Sequence, residues 1–247
     1  MKTFLFSLIG CLLVTIAYSQ EITNLVLVGD KGITEDIKEA REFIVVKRLP
    51  DGLYQRCDYK LRGPQLAFRT YTNSTLTMLN GQTGSYRPDG SIMLVANYKD
   101  NKKDGKWFYV SSTGKSYLSE TYKADSLINS EVLDTTKKDK EKTEPKAGER
   151  EAQLKGGGKA WMKYLVANIK ADLAQSSMHG GEIRVAFIVS EDGKPEGIFL
   201  HRSVEFVLDE EALRVIYKMP AWMPALKEDK PVKAYRIQPI TFVKAAY

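Results

Sequence analysis

Apolar and polar positions alternate in short runs through the first half of the chain. Asp51 to Tyr59, Pro64 to Tyr71, Gly84 to Gly90, Ser91 to Tyr98, Gly105 to Val110 and Lys115 to Tyr122 each read as a strand rich in aromatic side chains. Glycines punctuate them, since glycine takes positive φ without steric cost. Gly63, Gly90 and Gly114 are each followed eight residues on by a tyrosine, at 71, 98 and 122, and preceded four or five residues back by Tyr59, Tyr86 and Tyr109. A hairpin cannot bury its apolar face alone, so such units must lie side by side in a meander. The polar run Asn97 to Tyr109 then falls between two units. Its lysines stand where a calcium loop needs oxygen ligands, so it reads as a solvated turn tightened at Asp104-Gly105.

After residue 156 the period changes. Trp161, Leu165, Ile169 and Leu173 recur at intervals of four, one side of a helix. Ile183, Val185, Phe187 and Val189 alternate as a half-buried strand, and Glu191 to Lys194 closes a hairpin onto Gly197 to Leu200. A second helix is expected to begin at Asp209, with Ala212, Leu213 and Ile216 inward and Pro220 as its stop. A last strand from Val232 to about Val243 carries Tyr235 and Ile237 on one side. Pro239 has no amide to donate, which places this strand at a sheet edge or gives it a bulge there.

The fold class is therefore α+β: an antiparallel β meander of hairpin repeats over 20–130, and a small domain of two helices on three antiparallel strands over 156–247. Between them, 131–155 is nearly all charged or small, with TTKKDKEKTEPKAGEREAQ from Thr135 to Gln153. Such a segment buries too little to offset its ordering entropy, so it is expected to be a flexible tether. Two independently packed units, with no pocket where chemistry could be done, are the expectation.

Two resemblances attach to these pieces. Gly105-Lys106-Trp107-Phe108-Tyr109, the Gly114-Lys115 turn and a strand ending in Tyr122-Lys123 resemble MORN-type repeats of exported bacterial proteins, over about Leu53 to Asp125. The ordered pieces GGGKAWMKYLVANIK, RVAFIVSEDGKPEGI, LDEEALRVIYKMPAWMPA and KPVKAYRIQPITF are similar to the TonB C-terminal domain, over Gly156 to Val243. That resemblance implies a domain that lends a sheet edge to a short segment of an outer-membrane receptor, with Tyr235, Ile237 and Ile240 as the candidate partner-binding edge. The chain departs from the transducers of that family. Its spacer holds one proline, Pro145, and Ala171-Asp172 stands where they carry Tyr-Pro after the first helix.

Composition narrows the function further. The 247 residues carry a net charge of +6 with acids beside the bases throughout, which argues against a nucleic-acid surface. Lys2, the apolar run Phe4 to Ala17 and the small residues before Gln20 read as an export signal cleaved after Ser19. Leu8-Ile9-Gly10-Cys11 offers a rival, lipidation at Cys11, and membrane contact follows only in that case. With Cys11 removed, Cys57 is the remaining thiol, either reactive or a small buried hydrophobe in a strand.

Catalytic and cofactor motifs are not met. Ser112-Thr113-Gly114-Lys115-Ser116 lacks the first glycine and the following helix of a phosphate loop, and Gly156-Gly157-Gly158-Lys159 lacks a preceding strand. His179 and His201 are not at metal-ligand spacing, and Glu191-Asp192 and Glu210-Glu211 read as a turn and a helix start. The sequence thus predicts an exported, periplasmic or outer-membrane-associated protein that is not an enzyme and uses no cofactor or metal. Its partner is an envelope protein or an outer-membrane receptor, and an accessory role in TonB-dependent transmembrane transport is the alternative.

Overall fold

A computed structural model describes residues 21–133, 148–178 and 180–244. The expected export signal with Cys11, the tether over 134–147, and His179 lie outside the described residues. The alternating half of the chain forms one antiparallel sheet of eleven strands. In chain order these are β1 (Glu21–Gly29), β2 (Gly32–Thr34), β3 (Ala40–Arg48), β4 (Tyr54–Lys60), β5 (Gln65–Tyr71), β6 (Leu79–Tyr86), β7 (Ile92–Lys99), β8 (Lys102–Lys103), β9 (Gly105–Val110), β10 (Ser116–Lys123) and β11 (Ser126–Val132). Neighbours in sequence are mostly neighbours in space, with β2 beyond β1 at one end and β11 at the other.

The glycine-bearing hairpins join β4 to β5, β6 to β7 and β9 to β10. The connection between the last two units is tighter than its Asp-Gly suggested. Asp100 and Asn101 take φ of 50° and 65° and make the two-residue turn from β7 to β8, while Gly105 (φ 84°) opens β9. Asparagine and aspartate tolerate this left-handed region better than most side chains. Asn101 also accepts the Leu79 amide at 2.7 Å, and Asp125, in the next turn, accepts that of Lys103 at 2.8 Å. Each turn therefore clamps the backbone of the unit before it.

The second half contains α1 (Gly157–Asn168), α2 (Leu173–Ser176), β12 (Gly181–Val189), β13 (Pro195–Arg202), α3 (Phe206–Tyr217), β14 (Ala225–Lys227), β15 (Lys230–Val232) and β16 (Ala234–Phe242). The sheet order is β13-β12-β16, so β16 is at an edge, as Pro239 requires. A short α2 and the β14–β15 hairpin add to the two helices and three strands expected. The inward face of β12 is closed off entirely, with Ile183, Val185, Phe187 and Val189 fully buried. Helix α3 starts at Phe206, three residues before the expected start. Asp209 lies inside it and reaches back to the Val204 amide (3.0 Å), a role in the preceding turn that sequence spacing does not distinguish from a cap.

The two halves do not pack independently, which corrects the picture of separate units on a tether. Their buried side chains form one continuous core from Phe43, Tyr59 and Phe68 in the large sheet to Phe199, Leu200 and Leu208 in the second half. Phe206 sets its ring edge-on to Phe43 and Tyr59, at 5.4 and 5.3 Å. The end of the expected tether is also packed: Arg150 and Gln153 bridge to Leu226 and Met223, with Ala152 and Leu154 buried.

Gly90 sits at this contact with φ 80°. Its carbonyl accepts the Ser203 amide, and a Cβ there would lie 2.1 Å from the Ser203 carbonyl oxygen. Gly90→Ala is expected to destabilise the protein by at least about 2 kcal/mol. Gly52→Ala, at φ 86° in open space, should cost only about 1 kcal/mol. Urea unfolding of the two variants checks the difference.

Candidate functional site

The register of β16 against β12 runs without a bulge from Ala234↔Val189 to Phe242↔Gly181. Pro239 has no amide, so its backbone is on the outer side of the strand, and alternation puts the amides of Ile237 and Tyr235 on that side too. No strand pairs with this outer edge among the described residues. Tyr235 and Ile237 are 52% and 38% exposed. Ile240 is not part of that surface. Its side chain is on the opposite, helix-facing side of the sheet and only 3% exposed, because strand parity separates 240 from 235 and 237.

Tyr235 and Ile237 line a cleft of about 1860 Å³ between the small sheet and the large one, which independently packed units would not share. Ile92, Val95, Phe108 and Val110 give the large sheet's side an apolar strip. Beside that strip Gln55, Thr70, Gln82, Asn97 and Lys106 make a polar row across five strands. The opposite wall holds Ile198, Phe199 and His201. An apolar strip beside a row of polar side chains suits an extended chain, which presents both side chains and backbone groups.

The family model described as Gram-negative bacterial TonB protein C-terminal matches residues 172–243, from the turn before α2 through β16. The C-terminal unit is similar to that domain. No curated protein and no solved structure matches the chain.

The TonB C-terminal-like unit is fastened to the sheet by polar contacts at the start of α3. Ser203 Oγ accepts the Gln65 amide at 2.7 Å and donates to Asp209 at 2.5 Å. Tyr86 donates its hydroxyl to the Leu200 carbonyl at 2.8 Å. Lys47, 1% exposed, pairs with Glu210 at 2.6 Å. Burial alone would pull the Lys47 ammonium down. Charge interactions with Cys57 and Glu210 outweigh it, and the net shift is upward. Burial pushes the Cys57 thiol up to about 11, so it is neutral at neutral pH and Glu210 is the group that keeps Lys47 charged. The open choice for Cys57 thus closes on a small buried side chain of β4.

These groups are joints rather than reagents. Ser203 and Asp209 are 1% and 0% exposed, out of reach of a substrate. His201 is buried in the cleft wall, where burial holds it below the ordinary imidazole range against a hydrogen bond with the Gly114 backbone. Glu196 is paired with Lys233 at 2.9 Å. Among the described residues, no three histidine, cysteine or acidic side chains cluster as metal ligands. No described helix is long and apolar enough to cross a membrane. Sequence reading took Glu210 only for a helix start and missed its pairing with Lys47, although one signal was available. Phe43, Val45 and Lys47 alternate on one face, so a lysine occupies a core position and demands a buried acid.

Asp209 gives a prediction with a definite sign. Burial raises its carboxyl to about 7, against the hydrogen bonds from Ser203 and Val204; Glu210 adds to the rise and Lys47 opposes it. A raised folded-state value means that the folded protein holds the proton more tightly than the unfolded chain. Its contribution is therefore complete below about pH 4 and is lost as the pH rises through about 7. The loss is on the order of 4 kcal/mol. Relative to Asp209→Asn, the native protein should lose stability across that window in urea titrations at stepped pH. Parallel profiles would contradict the assignment.

Proposed function

We propose that the protein is an exported, non-enzymatic interaction module of the bacterial envelope that receives an extended segment of a partner protein along β16. The observation that carries this reading is the unpaired outer edge of β16, with Tyr235 and Ile237 beside the cleft. An added strand would bond to the outward amides of Ile237 and Tyr235, with every second side chain turned into the cleft toward the apolar strip and the polar row. The match to a TonB C-terminal domain supports the role, because that family is a protein-interaction domain. The glycine-punctuated hairpins of the large sheet supply the cleft's other wall, and the export signal expected from the sequence supports a location in the periplasm or at the outer membrane.

A second reading makes the partner an outer-membrane receptor of TonB-dependent transport. The outward edge of β16 also favours it, since a receptor segment would add there as a strand.

Ile237→Pro removes one outward amide and leaves the β12 ladder whole, as Pro239 already does. A photoreactive residue placed at Tyr235 in living cells should capture a discrete envelope protein, and Ile237→Pro should reduce that capture at least about tenfold while preserving the melting temperature. Capture of a receptor selects the second reading. Undiminished capture in a folded Ile237→Pro variant would contradict strand addition.

A further inference from the structure

Acids stand beside bases through most of the chain, but not around α1. From Lys155 to Ala171 there are four lysines and no acid. The nearest acid on the N-terminal side, Glu151, is already paired with Arg236 at 2.9 Å. Lys159, Met162, Lys163 and Val166 recur at i, i+3, i+4 and i+7, which places them in one stripe along the helix. The stripe faces solvent: all four residues are exposed, Met162 by 58% and Val166 by 77%. No ion pair engages Lys155, Lys159 or Lys163 among the described residues.

The opposite side of α1 fixes the stripe in place. Trp161 and Leu165 are buried there, and the Trp161 ring lies 6.2 Å from that of Trp222. Tyr164 donates its hydroxyl to the Val215 carbonyl of α3 at 2.9 Å. The helix cannot roll to hide Met162 and Val166 without giving up those contacts.

Apolar side chains that project among lysines match a surface that is anionic at its face and apolar just beneath. The stripe runs along the convex outside of a helix, and none of its four residues lines the cleft, so it offers no groove to an extended chain. We propose that α1 lies flat against an anionic phospholipid leaflet, its lysines on the phosphates and Met162 and Val166 reaching the boundary of the acyl chains. This membrane contact needs no lipid at Cys11 and is separate from the β16 edge. Each lysine close to such a surface strengthens binding about fivefold, and salt screens the attraction.

The test is flotation with vesicles of the protein purified in the form that cells produce. At low salt, vesicles of phosphatidylglycerol and phosphatidylcholine should bind it at least about tenfold more tightly than phosphatidylcholine alone. Lys159→Glu with Lys163→Glu should weaken that binding at least about tenfold, and Met162→Ser with Val166→Ser about fivefold. Lys31→Glu with Lys38→Glu makes the same change of net charge on exposed lysines of the other half and should leave binding within about twofold. All of these alter exposed side chains, and an unchanged melting temperature checks that each variant folds. No binding to the phosphatidylglycerol vesicles overturns the proposal, whether the stripe is then covered by the chain's own residues or by an acidic protein. Binding that the α1 variants leave intact, or that the Lys31 and Lys38 variant weakens equally, overturns it too.

Discussion

A lysine ammonium shut away from water governs how this molecule is assembled. Removing such a charge from solvent costs several kcal/mol unless an opposite charge meets it with good geometry. Lys47 belongs to the large sheet, and its partner Glu210 belongs to the first turns of α3. Neither half satisfies the other's polar groups unless they dock in one arrangement. Ser203 adds to this by holding the Gln65 amide, the Gly90 carbonyl and the Asp209 carboxylate at once. The aromatic contacts of Phe206 supply apolar burial, which is tolerant of orientation. The polar contacts supply the orientation.

That fixed docking gives the edge strand its setting. In an isolated small domain the outer edge of β16 would face open solvent. Here it stands beside a cleft whose far wall is another sheet, and an incoming chain meets both a ladder of backbone groups and a surface for its side chains. Binding of this kind loses less entropy when the receiving surface is held in place beforehand. The large sheet in turn has an edge of its own at β11, whose seven residues are all exposed.

Much of this was legible from residue patterns, and the remainder failed for physical reasons. The alternation of Ile183, Val185, Phe187 and Val189 marked a core strand because period two survives any docking arrangement. Pro239 located an edge because a missing amide has the same consequence in any sheet. Turns were harder: Ala124-Asp125 and Glu228-Asp229 adopt positive φ without a glycine, so the local signal was weak. Ile240 was grouped with Tyr235 and Ile237 by nearness in sequence, although strand parity separates them. The joint and its cleft were invisible, because they join residues far apart in the sequence, 163 positions for Lys47 and Glu210. Lys47 among apolar neighbours was the one local hint of a partner elsewhere.

The central claim is that sheet and TonB C-terminal-like unit fold as one body through the Lys47–Glu210 joint. Its most direct measurement is equilibrium unfolding in urea, read separately in each half. Trp107 reports on the large sheet, and Trp161 and Trp222 report on the second unit. Proteins carrying Trp107→Phe, or Trp161→Phe with Trp222→Phe, isolate the two signals. The account predicts that each half's signal shifts its midpoint by the same amount when Glu210→Ala is added to either protein, because the halves unfold together. Two well-separated transitions, with Glu210→Ala moving neither, would contradict it.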